Sequence, residues 1–319
     1  MQALLVQLHF ELQHFNVTKG SVETLFIGGG TPSTVSPELY EPLFQLLRPY
    51  LRESAEITSE ANPNSATKEW LQGMYDLGVN RISFGVQSFN EKKLKLLNRA
   101  HTPQMAKEAL SHAAKVGYKN LSLDLIYATL GDTKELLQND IQEAFSLPIN
   151  HLSAYALTIE EGTAFEKKPQ MAKEQLELTE WIFQTIQKKG FEQYEISNFG
   201  SYRSQHNLGY WEYKDYIGLG AGAVGKLHNK RFYPNPDIES YIKSPLKIRI
   251  EELNEEDMRI EKIFLGFRSA VGVEKNLLND EEKIKAAILE DEKKVIFKEG
   301  KFYNPNYLLA DELALFLST

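Results

Sequence analysis

The 319 residues carry a formal net charge of −8, are 42% apolar and include no cysteine. This is the balance of a globular chain with a sizeable core, and it argues against nucleic acid or an anionic membrane as the main partner. Without cysteine, these residues supply no disulfide, no thiol nucleophile and no thiolate ligand for zinc or an iron–sulfur cluster.

No apolar run approaches membrane-spanning length. The first residues also lack the basic-then-apolar pattern of a signal peptide, so a cytoplasmic location is expected and any membrane association would be peripheral. Leu4, Leu5, Leu8, Leu12 and Phe15 share one face at helical spacing. Strand-like runs are expected at 24–28, 56–60, 81–86, 121–127 and 151–159, alternating with helical patterns at 37–51, 65–76, 90–116 (broken near Pro103), 133–145 and 170–189. That pace is the one of βα units in a parallel sheet or barrel.

Beyond residue 190 the pattern changes. Residues 191–199 read as a strand, followed by an aromatic and polar segment and by the small-residue run Ile217-Gly218-Leu219-Gly220-Ala221-Gly222-Ala223-Val224-Gly225, suited to close packing or a hairpin. From 236 a separate unit is expected, with helices at 237–243, 255–271, 280–290 and 306–317 and a hairpin across Glu299-Gly300. The domain division is thus 1–235 and 236–319, the second a small α+β, winged-helix-like module. Its acidic run at 251–257 and lack of a basic stripe argue against DNA binding.

Polar and glycine-rich positions cluster where the strands end: Gly28 to Thr31, Glu60-Ala61-Asn62-Pro63, Gln87-Ser88-Phe89 and the segment after Asp124. Consecutive glycines let a ligand approach the backbone and leave N–H groups unshielded. The spacing fits neither the dinucleotide fingerprint nor the phosphate P-loop. In an α/β barrel the carboxyl ends of the strands share one face, so these loops would converge on one pocket. Glu60 and Asp124 would need partners if buried, and Arg81 and Arg99 are the cations at hand. The alternative is a set of salt bridges and turn caps holding the rim. In the later segment, His206-Asn207-x-x-Tyr210-Trp211 offers an imidazole beside aromatic rings, suited to an axial ligand for a flat macrocycle or to a structural histidine whose tautomer Asn207 fixes. The remaining histidines show no ligand spacing, so no poly-histidine metal site is expected, and no Ser/His/Asp arrangement is legible.

Gly28-Gly29-Gly30-Thr31-Pro32-Ser33, Glu60-Ala61-Asn62-Pro63, Gly85-Val86-Gln87-Ser88-Phe89, Asn98-Arg99 and Leu123-Asp124-Leu125-Ile126-Tyr127 resemble, in order and spacing, the radical S-adenosylmethionine (SAM) proteins of the oxygen-independent coproporphyrinogen III oxidase family. Tyr194 to Phe199 and the His206–Trp211 motif are similar to its HemW-type heme-chaperone branch. The resemblance implies a partial (β/α)6 barrel that binds SAM, a C-terminal domain, and heme held for transfer to apo-hemoproteins, notably of the respiratory chain. It assigns the backbone of Gly29, Gly30 and Thr31 to the methionyl amine. Glu60 and Arg99 fall to polar SAM contacts, Gln87 and Asp124 to the ribose hydroxyls, Thr158 to the vicinity of the adenine, and His206 to heme.

Two departures qualify the carry-over. Family members have an upstream strand bearing Cys-x-x-x-Cys-x-x-Cys for a [4Fe–4S] cluster. This chain has neither strand nor thiol and begins at what resembles the following helix, so the barrel is expected to lack its first strand and the chain to make no 5′-deoxyadenosyl radical. The family's Gly-Leu-Pro after Ile-Tyr is here Ala128-Thr129-Leu130, which bears on the loop beyond Asp124. No catalytic residue and no metal ligand is assigned. The alternatives to a heme chaperone are a coproporphyrinogen III oxidase and a truncated, inactive fragment.

Overall fold

A parallel sheet covered by helices on both faces reads as continuous apolar runs, whereas Arg81-Ile82-Ser83-Phe84 and Asn120-Leu121-Ser122-Leu123-Asp124 alternate polar with apolar. One face of this sheet therefore packs on helices while the other lines a polar interior. The computed structural model describes residues 1–160, 162, 165–173 and 175–318. They divide into two compact units: Thr24–Glu38 with Glu56–Arg203, and Met1–Glu23 with Leu39–Ala55 and Ser204–Thr319. The division expected at 235/236 falls inside the second of these, because the residues from Ser204 onward group with the N-terminal helix.

In chain order, α1 (Gln2–His14) precedes β1 (Val22–Ile27), α2 (Glu41–Leu47) and β2 (Leu51–Ala61). Then come α3 (Lys68–Leu77), β3 (Arg81–Gln87), α4 (Glu91–Leu96), α5 (Pro103–Val116), β4 (Asn120–Tyr127), α6 (Lys134–Phe145) and β5 (His151–Ala156). Threonines start α3, α5 and α6: the hydroxyls of Thr67, Thr102 and Thr133 accept the N–H groups of Trp70, Met105 and Leu136. Pro103 follows its cap at the first turn of α5, where its missing N–H is harmless.

The sheet runs β1-β2-β3-β4-β5 and continues through two short strands that follow α7 (Leu176–Lys188): β6 (Glu192–Gln193) and β7 (Asn198–Gly200). Strands β2 to β5 pair in parallel. β7 joins β5 antiparallel, and β6 joins β7 antiparallel. The single strand expected over 191–199 is thus two, because residues 194–197 turn back and the Glu195 carboxylate accepts the Ser197 N–H at 3.2 Å. Other expected elements are shorter. The helix of 37–51 keeps only 41–47 after a 3₁₀ turn at Pro37–Leu39. The helix of 170–189 begins at Leu176, and residue 174 within that range lies outside the described residues. β5 ends at Ala156, three residues before the expected end.

In the second unit, α8 (Gln205–Trp211) is followed by β8 (Gly225–Leu227), β9 (Lys230–Pro234), α9 (Ile238–Lys243) and β10 (Ile248–Glu252). The three strands form an antiparallel sheet ordered β10-β9-β8. α10 (Glu255–Phe267), β11 (Val273–Glu274), α11 (Asp280–Asp291), β12 (Ile296–Lys298), β13 (Lys301–Tyr303) and α12 (Ala310–Ser318) complete the chain. These last elements enclose their own core of Ile263, Phe267, Leu289, Phe302, Leu313 and neighbouring apolar residues, the α+β module expected there. Its sheet runs β11-β13-β12.

The small-residue run 217–225 is an inward-folded loop. A Cβ on Gly218 would lie 2.3 Å from the carbonyl oxygens of Ala223 and Val224, so only glycine permits this backbone approach. Gln7, fully buried on α1, donates to the Gly218 carbonyl at 3.1 Å and accepts the Gly220 N–H at 3.0 Å and the Tyr241 hydroxyl at 2.7 Å. Among the described residues, no helix is long and apolar enough to cross a membrane.

Candidate functional site

The parallel register sets which residues meet. Ile82, Leu121, Phe84, Leu123 and Leu152 lie in paired rows and are fully buried, whereas Glu60, Ser83, Ser122, Asp124, His151 and Ser153 occupy the alternate rows. Barrel interiors are normally filled with branched aliphatics, so a polar one is built for something other than packing.

At the carboxyl ends of the strands, the glycine turn and the Glu60 loop are knit together. Gly29 and Gly30 have φ of +77° and +58°, with open space where a side chain would stand. The Gly29 N–H donates to Glu60 Oε2 at 3.2 Å. The Asn62 N–H donates to Ser33 Oγ at 2.9 Å, the Ser33 and Ser65 hydroxyls lie 2.6 Å apart, and Asn62 Nδ2 reaches Thr31 Oγ1 at 3.4 Å. Gln87 takes a left-handed φ of +68° where the β3–β4 register shifts, and its Oε1 accepts the Tyr155 hydroxyl at 3.2 Å. The following turn is clamped from outside: Asp140 on α6 accepts the Ser88 hydroxyl at 2.8 Å and the Phe89 N–H at 2.6 Å.

Two acids share the mouth. Burial pushes the Asp124 carboxyl up to about 6; the hydrogen bond from Ser153 opposes this, the Glu60 charge adds to it, and Arg81 and Ser83 oppose it. Burial likewise raises Glu60, against the Gly29 N–H bond. Asp124 Oδ1 accepts the Ser83 hydroxyl at 3.4 Å. Two desolvated carboxylates of which one acts on the other through its charge are an arrangement that a cationic ligand relieves.

The anticipated ion pairs of Arg81 and Arg99 with these acids are absent among the described residues. Arg81 instead turns into the buried interior, where its Nη2 meets His151 Nδ1 at 3.3 Å and Nη1 lies 3.5 Å from Thr58 Oγ1. Burial and the Arg81 charge hold His151 well below its ordinary value, so the ring is neutral. With Nδ1 accepting, Nε2 carries the proton and donates to the Tyr194 hydroxyl at 2.7 Å, a tautomer assigned from the network. Arg99, just past α4, lies near enough to Tyr155 and His101 for its charge to act on both. Thr158 stands two residues beyond β5 and is exposed. Ala128 begins the loop after β4 in a left-handed conformation, φ +59°. Where the resemblance leads to glycine, alanine holds the same turn, at a cost of about 1 kcal/mol. Asp132 in that loop forms a buried ion pair with Lys93 at 2.8 Å.

Glu195, buried on the turn between β6 and β7, is pushed up to about 7 by desolvation despite bonds to Ser197 and Asn198. The folded protein therefore keeps a proton here that the unfolded chain releases near pH 4.5. This contribution is present in full below that pH and is lost as pH rises through about 7. Denaturant unfolding is expected to give a stability on the order of 2 kcal/mol lower at pH 8 than at pH 5 from this group, a dependence that Glu195→Gln abolishes. An equal pH slope in wild type and variant would show the acid to be solvated.

His206 belongs to the other compact unit, in the first turn of α8, whose N–H at Asn207 is capped by the Ser204 hydroxyl at 3.3 Å. Its Nε2 lies 3.0 Å from the Tyr210 hydroxyl, with the rings edge-on at 4.9 Å, and Tyr210 meets Tyr216 edge-on at 4.7 Å. The result is a half-buried imidazole walled by tyrosines. Among the described residues no three acidic or histidine side chains cluster as a metal site.

Sequence reasoning missed Ser83, Ser153, Tyr155 and Asp140. The first three were signalled by their polar positions in otherwise apolar strands. Asp140, on an outer helix, gave no signal.

The fold is of the radical SAM class, and residues 10–144 match the Radical SAM superfamily. Over 287 residues the chain is 34% identical to the heme chaperone HemW of Lactococcus lactis, covering 86% of this chain and 75% of that one. HemW of Bacillus subtilis is 34% identical over 272 residues, 80% and 72% of the two chains. The chain belongs to the HemW heme-chaperone family. Coproporphyrinogen III oxidase (HemN) of Escherichia coli has the same fold, with a TM-score of 0.81 over all of this chain and 82% of its own, at 18% identity.

Proposed function

We propose that this chain binds heme and passes it to hemoproteins lacking it, on a barrel that holds SAM. The observation carrying the proposal is the family membership across 86% of the chain, a span long enough to include both the acid-lined mouth and the His206 cluster.

The donor set fits SAM. Its sulfonium and ammonium supply positive charge to the two desolvated carboxylates. In this reading Glu60 takes the ammonium together with backbone groups of Gly29, Gly30 and Thr31. Asp124 and Gln87 bind the ribose hydroxyls, Gln87 oriented by Tyr155. Arg99 takes the anionic end, and Thr158 borders the adenine. The [4Fe–4S] cluster of the superfamily does not fit these residues: none of the 319 is cysteine, and they alone give no route to reductive cleavage of SAM.

For heme, His206 would supply the imidazole nitrogen that binds iron, giving up its contact with the Tyr210 hydroxyl, and Tyr210 and Tyr216 would supply aromatic surface for the macrocycle. Titrating the chain with heme and following the Soret band tests this. His206→Ala is expected to weaken binding at least about tenfold, 1.4 kcal/mol. Titration curves that coincide with wild type would return His206 to a structural role. The HemN fold supports a second reading as an oxidase. Incubating a protein completed at its N-terminus with a Cys-x-x-x-Cys-x-x-Cys segment and carrying a [4Fe–4S] cluster with coproporphyrinogen III, SAM and a reductant separates the two, since only an oxidase yields protoporphyrinogen.

A further inference from the structure

Two non-glycine residues that leave the strands at the mouth are left-handed: Gln87 at the end of β3 and Ala128 just past β4. Each begins a turn that a carboxylate holds from behind. Asp140 takes the Ser88 hydroxyl and the Phe89 N–H, and Asp132 Oδ2 accepts the Thr129 N–H at 2.9 Å. One cation serves both acids. Lys93 Nζ lies 2.8 Å from Asp132 Oδ1, with side chains only 3% and 1% exposed, and its charge also acts on the buried Asp140.

Lys93 is mounted on one of the turns that it serves. The Asn90 N–H donates to Ser88 Oγ at 3.0 Å and Asn90 Oδ1 caps the Lys93 N–H at 3.1 Å, so α4 grows directly out of the Ser88 turn. Gln87 pairs with Leu125 of β4, the chain neighbour of Asp124. Whatever fixes the exit of β3 against the exit of β4 therefore fixes the spacing of Gln87 and Asp124. A buried ion pair contributes little net stability over apolar packing of the same volume, and its best-attested use is to fix register. Left-handed turns at non-glycine residues persist only where their surroundings over-determine them.

We propose that Lys93 is a positioning residue: through Asp140 and Asp132 it holds the turns after β3 and β4 in one register, and so sets the selectivity of Gln87 and Asp124 for a vicinal diol. This rests on the SAM reading, in which those two residues take the ribose hydroxyls. Without the ammonium, two buried carboxylates share the region with no counter-charge and cannot both stay ionised. A protonated acid accepts an N–H more weakly than a carboxylate, so both turns loosen.

Lys93→Met keeps an unbranched side chain and removes the charge. Amide hydrogen exchange of the full chain without ligand is expected to quicken at least about tenfold in residues 86–90 and 128–133 together, and to stay unchanged across β12 and β13 of the other unit. Calorimetric titration with SAM and with its 2′-deoxyribose analogue supplies a readout that a merely structural role would not move. Wild type is expected to prefer SAM at least about tenfold, because the analogue leaves a desolvated polar group unpaired. In Lys93→Met that preference falls below about threefold. Should this variant fail to fold, Lys93→Met/Asp132→Asn removes the pair as a unit, which folded chains tolerate better, and carries the same expectations. Exchange that is unchanged, or quickened at one turn alone, overturns the proposal. So does a preference for SAM that survives in the variant, or a wild type that binds SAM without preferring it. Failure of the SAM reading is distinguishable, because the wild type then binds neither compound, and the proposal falls with it.

Discussion

Glu60→Gln is expected to lower the affinity of the chain for SAM on the order of 100-fold, about 2.7 kcal/mol. Glutamine has the shape of glutamate and can still accept the Gly29 N–H, so the glycine turn keeps its support. What disappears is one negative charge in a desolvated mouth, where a charge-assisted bond is about twice as strong as a neutral one. Burial is the main cause that raises Asp124, and the same substitution removes the smaller contribution of the Glu60 charge, so that the Asp124 carboxyl ionises at lower pH. Calorimetric titration therefore has two expected readouts: weaker binding at pH 7.5, and a pH dependence displaced toward acid. Affinity within threefold of wild type at pH 7.5 would remove Glu60 from the ligand's cationic end.

Gln7→Leu is expected to destabilise the chain by about 3 kcal/mol or more. Leucine fills nearly the same space, so no cavity is created. The Gly218 carbonyl, the Gly220 N–H and the Tyr241 hydroxyl all lose their partner. Each such buried polar group left unsatisfied costs about 1–3 kcal/mol. That sum is a large share of the 5–15 kcal/mol typical of a folded chain. Urea unfolding measures it, and limited proteolysis should open the 217–225 loop first. Gln13→Leu on the same helix, at an exposed position, serves as the control and should be silent. Equal unfolding midpoints for the two variants would mean that water replaces Gln7 without penalty.

The barrel was legible because its cues are local. Short strand-like runs, helical periodicity and the helix break at Pro103 each act within a few residues. The four loops at the mouth were legible for the same reason. Non-local chemistry was not. The expected partner of Arg81 was an acid, yet it meets His151, 70 residues away, because β3 and β5 each neighbour β4 and their register brings these rows together. β10 went unforeseen because Glu251 and Glu252 suggested a solvated run, while pairing with β9 and the bonds to Tyr233 and Lys230 settle both acids. The strand at 191–199 was overextended because nothing in its composition announces that Glu195 will bond its own backbone.

The two sides of the mouth differ in how much freedom remains to them. On the Gln87 side, the Asp140 carboxylate already holds the Ser88 hydroxyl and the Phe89 amide, so that turn is rigid from the outer helix inward. On the glycine side, Thr31 and Ser33 are tied to Asn62, but Gly29 and Gly30 are exposed and, among the described residues, are held by one bond to Glu60. The entropy lost when a ligand settles is accordingly concentrated in the glycine turn, and the opposite wall is pre-organised. Tightening binding by engineering would then mean stiffening residues 28–31, since the Gln87 wall has little disorder left to remove.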